Sequence, residues 1–441
     1  MEDIDTLVNA RWIIPVEPHG AVLHRHALAM DAGRIVALLP QDEARRRFRA
    51  RESADLDEHA LVPGLVNAHT HAAMSLFRGF ADDRPLMQWL TEHIWPAEQA
   101  WVTPDFVRDG ARLACAEMLK SGTTCFSDMY FHPDVAAEVA VEAGIRAVIG
   151  LIVIGFPSRW AASVDEYLGK GLAVHDRFRD APLISTAFAP HAPYTVDDAA
   201  LERVRILADE LDVPIVTHVH ETAQEIADAI AATGARPLRR LQGLGLLSPR
   251  LCAVHMTQVC DADLDLLARY GCSVVHCPES NMKLASGFCP AQRLLDAGIN
   301  LAIGTDGAAS NNDLDMFSEM RSAALLAKAV AGDPTALPAP AALHAATLGG
   351  ARALGLDQRI GSLLPGKQAD MVAVRLAGLH AEPVYDPLSQ LVYCAGRGDV
   401  ADVWVGGVRR VRSGALVDID ERTTLARARA WAERIRPHAG A

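Results

Sequence analysis

The sequence contains no apolar stretch approaching the roughly 18 to 20 residues that a membrane-spanning helix requires. Its acidic opening, Met1-Glu2-Asp3-Ile4-Asp5, lacks the basic start, apolar run and small-residue cleavage site of a secretory signal. Eight cysteines, at 115, 125, 252, 260, 272, 277, 289 and 394, include no C-x-x-C pair. That spacing suits free buried thiols in a reducing cytoplasm rather than a disulfide framework, so a cytoplasmic location is expected. There is no Lys/Arg-rich stripe, and the net charge over 441 residues is −13, which argues against a nucleic-acid or anionic-membrane partner. Internal repeats and low-complexity segments are also missing. What remains is a chain that is 50% hydrophobic, with ample material for a core and small molecules as its expected partners.

Three textures follow one another along the chain. Residues 1–61 read as short strands and turns: 7–14, then 27–30 leading through Asp31-Ala32-Gly33 into 34–38. From residue 62 apolar strands alternate with helical patterns. The strand candidates are 62–68, 123–129, 145–152, 183–190, 214–220, 252–256, 272–277 and 299–304, with helices such as 105–120, 134–143, 197–211 and 223–233 between them. Eight β-then-α units predict an α/β fold, a (β/α)8 TIM-type barrel over 62–361. After a helical stretch at 339–356 the β texture returns at 369–374, 391–393 and 400–411, with Gly406-Gly407 in a turn, and a helix near 423–435 closes the chain. The flanks 1–61 and 362–441 are expected to build one small discontinuous β-sandwich domain, because a sheet needs several strands to be stable.

In a barrel of this type chemistry gathers at the C-terminal ends of the strands. Strand one ends in His69-Thr70-His71; side chains at i and i+2 of a strand share a face, so the two histidines aim at one point, as two ligands of one metal must. A lone H-x-H does not define a site. Strand four runs into Pro190-His191-Ala192-Pro193-Tyr194, strand five ends in His218-Val219-His220-Glu221, strand six in His255 and strand eight in Thr305-Asp306-Gly307. Polar groups at the same end of five strands are hard to attribute to packing.

The segments Pro-Gly-Leu-Val-Asn-Ala-His-Thr-His at 63–71, His-Val-His-Glu-Thr at 218–222, His255 and Gly-Thr-Asp-Gly-Ala-Ala-Ser-Asn-Asn at 304–312 resemble the amidohydrolase superfamily, in particular its deaminases of purines and related heterocycles. The resemblance covers nearly the whole chain. It implies one divalent metal held by His69, His71, His218 and Asp306; three imidazoles and a carboxylate suit Zn²⁺, with Fe²⁺ also compatible. His220 is the rival of His218, and His218 is preferred because the family's ligand stands three residues before its glutamate; His220 then becomes a wall residue. Relatives with two metals bridge them with a lysine near the end of strand four. The only lysines between His71 and His218 are Lys120 and Lys170, both in helical stretches, so the site is expected to be mononuclear.

By the same resemblance Glu221 shuttles protons between a metal-activated water and the ring nitrogen and leaving ammonia, while Asp306 and His255 orient the attack. The long segment 80–98 is expected to form a pocket lid. Trp89 and Glu98 within it resemble the nucleoside-recognising segment of methylthioadenosine/S-adenosylhomocysteine deaminases, which implies Trp89 against the substrate and Glu98 accepting from both ribose hydroxyls. His191 is expected to face the substrate, and Arg159 is the match for the arginine that pairs a homocysteine carboxylate. A second such arginine has no counterpart. The expected activity is therefore deamination of 5′-modified adenosines, methylthioadenosine above S-adenosylhomocysteine, by a homo-oligomer. The same metal motifs also serve guanine and cytosine deaminases and triazine hydrolases. A non-catalytic relative would have lost ligands that are all present here.

Overall fold

The computed structural model describes residues 1–436; residues 437–441, the end of the expected 362–441 segment, lie outside the described residues. Strands β1 (Glu2–Ile13), β2 (Leu23–Asp31) and β3 (Arg34–Pro40) extend the three expected runs. The next strand, β4 (Phe48–Pro63), is not foreshadowed by the sequence, because its first half alternates charge with small residues instead of apolar side chains. Those charges are met across the ladder. β4 runs parallel to β1 with Arg49 opposite Asp3, and the pairs Arg49–Asp3 and Arg51–Asp5 close to 2.6 and 3.0 Å. Being exposed, they fix register more than they stabilise.

The eight expected barrel strands are all present, as β5 (Leu65–Thr70), β6 (Thr123–Asp128), β7 (Arg146–Val153), β8 (Ile184–Pro190), β9 (Ile215–Val219), β10 (Leu251–His255), β11 (Ser273–His276) and β12 (Asn300–Ile303), parallel and in sequential order. The first begins later than expected: residues 62–63 finish β4, and Gly64 makes the hand-over. A Cβ at Gly64 would sit 1.9 Å from Thr124 Oγ1, so only glycine lets the chain pass from one sheet to the other at this point. The barrel seam between β5 and β12 is drawn together by Asn67, whose amide donates to Thr305 Oγ1 (2.7 Å) and accepts from the Thr305 N–H (3.0 Å). It is reinforced by the Asp306 N–H to the His69 carbonyl (3.0 Å).

Strands β13 (Met371–Arg375), β14 (Val400–Val405), β15 (Val408–Arg412) and β16 (Ala415–Leu416) return to the first sheet, giving the order β16-β15-β14-β13-β4-β1-β2-β3. The sheet curls over itself: the turn at Gly33 meets the turn at Gly406-Gly407, close enough that a Cβ on Gly33 would lie 2.6 Å from the Gly406 carbonyl. Residues 391–393, expected as β, are helical. Asp386 caps the helix Pro387–Tyr393 by accepting from the Leu388 N–H, with Pro387 in its first turn, and this start signal outweighs the β-leaning Leu-Val-Tyr triplet. The closing helix spans Glu421–Ile435. Barrel and sheet are locked by a buried two-pronged ion pair from β7, Arg146 to Asp370, at 2.9 and 3.0 Å. Among the described residues no helix is long and apolar enough to cross a membrane.

Candidate active site

His69 and His71 leave the end of β5, His218 stands on β9, and Asp306 follows β12. The four side chains converge so that one ligand atom from each lies within 4.8 Å of the others. His69 Nε2 is 3.1 Å from His218 Nε2 and 3.5 Å from Asp306 Oδ1, and His71 Nε2 is 3.2 Å from the same oxygen. A tetrahedral ion with bonds of about 2.0–2.1 Å spaces its ligands by roughly 3.3 Å, so these edges fit a zinc-sized cation.

Neighbouring groups fix which ring nitrogens are offered. The Nδ1–H of His71 donates to the Met129 carbonyl, and that of His218 to the His191 carbonyl at 2.7 Å, which leaves both Nε2 lone pairs facing the cluster. Asp306 Oδ2 accepts from Ser280 (2.7 Å) and Ser310 (2.8 Å), which frees Oδ1 for the cluster. Such an arrangement holds positive charge. Burial alone would lower His71, yet its bond to Asp306, the charge of Asp306 and the Met129 carbonyl carry it up to about 9. Burial takes His69 down to about 4 despite Asp306. Burial and the surrounding imidazoles hold His218 well below its usual range. Asp306 is held well below the usual carboxylate range, its bonds to His69 and His71 overcoming burial. A single divalent ion fits these four donors.

His220 is where strand and sequence part company. Expected on the same face as His218 and on the pocket wall, it instead takes a left-handed backbone conformation (φ 56°) just beyond the end of β9. That turn points it away from the cavity, where its Nε2 accepts from the Leu238 N–H at 3.1 Å and its Nδ1 lies 3.7 Å from Asp263. His255 (φ 77°) and Asp306 (φ 61°) adopt the same rare region, bending the chain at strand ends so that their side chains reach inward.

Glu221 is buried at the floor of the cavity, with Oε1 3.5 Å from Ser286 Oγ and Oε2 3.7 Å from His255 Nε2. Burial, and then the charge of Asp306, push its pKa up to about 8. Its backbone is pinned by Glu225, which the sequence alone did not single out: the two carboxylate oxygens accept the N–H groups of His220 (3.0 Å) and Glu221 (2.6 Å). The Asn281 amide donates to His255 Nδ1 at 2.9 Å, an orientation that leaves the proton on Nε2, facing Glu221. Ser280, Asn281 and Ser310 were likewise missed. The available signal was their position, just beyond β11 and four residues after Asp306.

The cavity above the cluster is lined by His71, His191, His218, Glu221, His255 and Asp306 on its floor and by Trp89, Trp95 and Glu98 from the expected lid. The lid is a run of short helical segments over 86–101. Its outer wall is apolar, with Phe131, Ile152, Ile154 and Phe156. Glu98 is pushed up to about 7 by burial, against which the Tyr130 hydroxyl and His71 pull it down. Burial takes His191 down to about 3, with His71 and His69 adding to the shift; its Nδ1 pairs with Thr195 Oγ1 at 3.0 Å. Arg159 is not brought to this wall. It is exposed, and its guanidinium donates to the carbonyls of Gln99 (2.9 Å) and Ala100 (3.5 Å) at the end of the lid. No lysine or arginine lines the cavity among the described residues.

The profile of the amidohydrolase family matches residues 60–410, and the chain belongs to that family. With its barrel and four-ligand cluster it is a metal-dependent hydrolase acting on carbon–nitrogen bonds. More narrowly, it is 50% identical to a 5-methylthioadenosine/S-adenosylhomocysteine deaminase of Saccharophagus degradans, over 98% of this chain and 97% of that one. A zinc-bound crystal structure of an adenosine deaminase from Xanthomonas campestris superposes with a TM-score of 0.98 at 57% identity, covering 99% of both chains. An atrazine chlorohydrolase from Arthrobacter aurescens complexed with zinc shares the fold (TM-score 0.89) at 25% identity, over 97% of this chain and 99% of that one.

Proposed function

We propose that the protein is a mononuclear, zinc-dependent hydrolytic deaminase of 5′-modified adenosines, with 5′-methylthioadenosine favoured, releasing ammonia and the inosine analogue. The observation that carries this reading is a single cavity with the cation cluster, Glu221 and His255 at its floor and Trp89 and Glu98 at its lid. Its support from relatives is the deaminase names borne by chains at 50% and 57% identity.

When bound at His69, His71, His218 and Asp306, zinc supplies a Lewis acid and makes a water nucleophilic at neutral pH. The chain's own groups do the rest. Glu221, buried and with its pKa raised towards neutrality, takes a proton at one carboxylate oxygen and gives it to the adjacent ring nitrogen, then helps deliver one to the departing amine. His255, with its Nε2–H on the Glu221 side of the cavity floor, orients the water. Asp306, held at Oδ2 by Ser280 and Ser310, would hold the cation through Oδ1 and help orient the same water. His191 faces the base, Trp89 covers it, and Glu98 accepts the ribose hydroxyls.

The apolar wall of Phe131, Ile152, Ile154 and Phe156 suits a methylthio group. A homocysteine carboxylate would need a cation at that end, and Arg159 would have to leave the carbonyls of Gln99 and Ala100 to supply it. S-adenosylhomocysteine is accordingly the poorer substrate. An ammonia-release assay over methylthioadenosine, S-adenosylhomocysteine, adenosine, guanine and cytosine tests the proposal, and activity confined to free bases would contradict it.

A further inference from the structure

Among the described residues lining the cavity, Tyr130 alone carries a buried polar side-chain atom without a hydrogen bond of full geometry, its phenolic oxygen, which makes only a weak approach to the Glu98 carboxylate. Leaving a hydroxyl dry and unpaired costs about 1–3 kcal/mol, so its position needs a reason. Two carboxylates act on it, Glu98 and Asp128. Asp128 is already committed, accepting the Ala72 N–H at 2.7 Å. Glu98 is not, because no side-chain hydrogen bond meeting full geometry ends on it and it faces the cavity.

The two partners belong to different parts of the molecule. Glu98 rides on the lid helix Trp95–Trp101, whereas Tyr130 follows β6 on the rigid barrel, beside Met129, whose carbonyl orients His71. An ionised carboxylate has about four acceptor positions, enough for two ribose hydroxyls and one phenol together. We propose that the Tyr130 hydroxyl is the barrel's donor to Glu98, closing to a full hydrogen bond when a ribose diol engages that carboxylate, and thereby sets how tightly ribose-bearing substrates bind. Tyr130 is a positioning residue that acts through Glu98. The inference rests on the reading of Glu98 as the diol acceptor.

The test is a steady-state cycle of the zinc-loaded wild type, Tyr130→Phe, Glu98→Ala and the double variant, each with 5′-methylthioadenosine and its 2′,3′-dideoxy analogue. Tyr130→Phe removes one oxygen and keeps the ring against Phe131, so folding is not at issue. Its KM for methylthioadenosine should rise about tenfold, the effect of one charge-assisted hydrogen bond, with kcat within about twofold. KM for the dideoxy analogue should not move, and the double variant should match Glu98→Ala alone. Equal changes on both substrates, or additive effects of the two substitutions, would overturn the role of Tyr130 while leaving the deaminase reading intact. A wild type that releases ammonia from no nucleoside overturns both.

Discussion

His218 and His220, two residues apart before Glu221, should behave in opposite ways when each is replaced by alanine. His218→Ala removes one of four converging donors, whose Nε2 lies 3.1 Å from that of His69. Loss of a supporting contact alone costs a metal site about 10- to 100-fold in affinity, so loss of a ligand should exceed that, and the protein should leave a chelating dialysis without zinc. His220→Ala should keep zinc at the wild-type ratio. Its cost falls on stability: the Leu238 N–H loses its acceptor, worth about 1–3 kcal/mol in a buried place. An imidazole-sized void at a fully buried position adds about 2 kcal/mol more, giving roughly 3–5 kcal/mol overall. Elemental analysis after dialysis and urea unfolding read the two quantities separately. A His220→Ala protein that loses its zinc while His218→Ala retains it would refute the left-handed turn at residue 220 as the reason the two side chains diverge.

Glu221→Gln keeps an acceptor for Ser286 and should retain zinc while kcat falls about 10²- to 10⁴-fold, or roughly 3–5 kcal/mol of barrier; turnover within tenfold of wild type would remove Glu221 from proton transfer. Because Glu98 is pushed up to about 7 by burial and accepts hydrogen bonds only fully when ionised, KM for methylthioadenosine should rise as pH falls through about 7 and level off above it. The dideoxy analogue should show no such limb, and a flat profile for both would contradict diol recognition by this carboxylate. Arg146→Ala strands the buried Asp370 between barrel and sheet and should cost about 3–5 kcal/mol in urea unfolding, a cost that an unchanged midpoint would exclude.

The barrel was legible because parallel strands buried on both faces read as short stretches rich in apolar residues, and eight of them alternate with helical patterns along the chain, even where, as in β6, Thr and Ser interrupt the run. β4 was not, since its charged first half is stabilised by partners on β1 that only the folded register brings opposite. Strand geometry made only part of the ligand set legible: His69 and His71 share a strand face and further polar groups fall at the same strand ends, but the choice of His218 and Asp306 among them came from the family resemblance. What the sequence could not reveal is direction at those ends. His220, His255 and Asp306 each leave ideal strand geometry through a left-handed residue, turning one histidine out of the cavity and the other two groups into it. Backbone acceptors such as Met129 O and His191 O, which select the ligating nitrogens, have no side-chain signature at all.

Zinc titration into the metal-stripped protein, with ammonia release from 5′-methylthioadenosine as the readout, asks whether His69, His71, His218 and Asp306 hold the one ion that deamination needs. A one-metal site should give no activity without metal and a linear rise that breaks at one equivalent per chain. Activity that needs a second equivalent, or that survives complete removal of the metal, would contradict it.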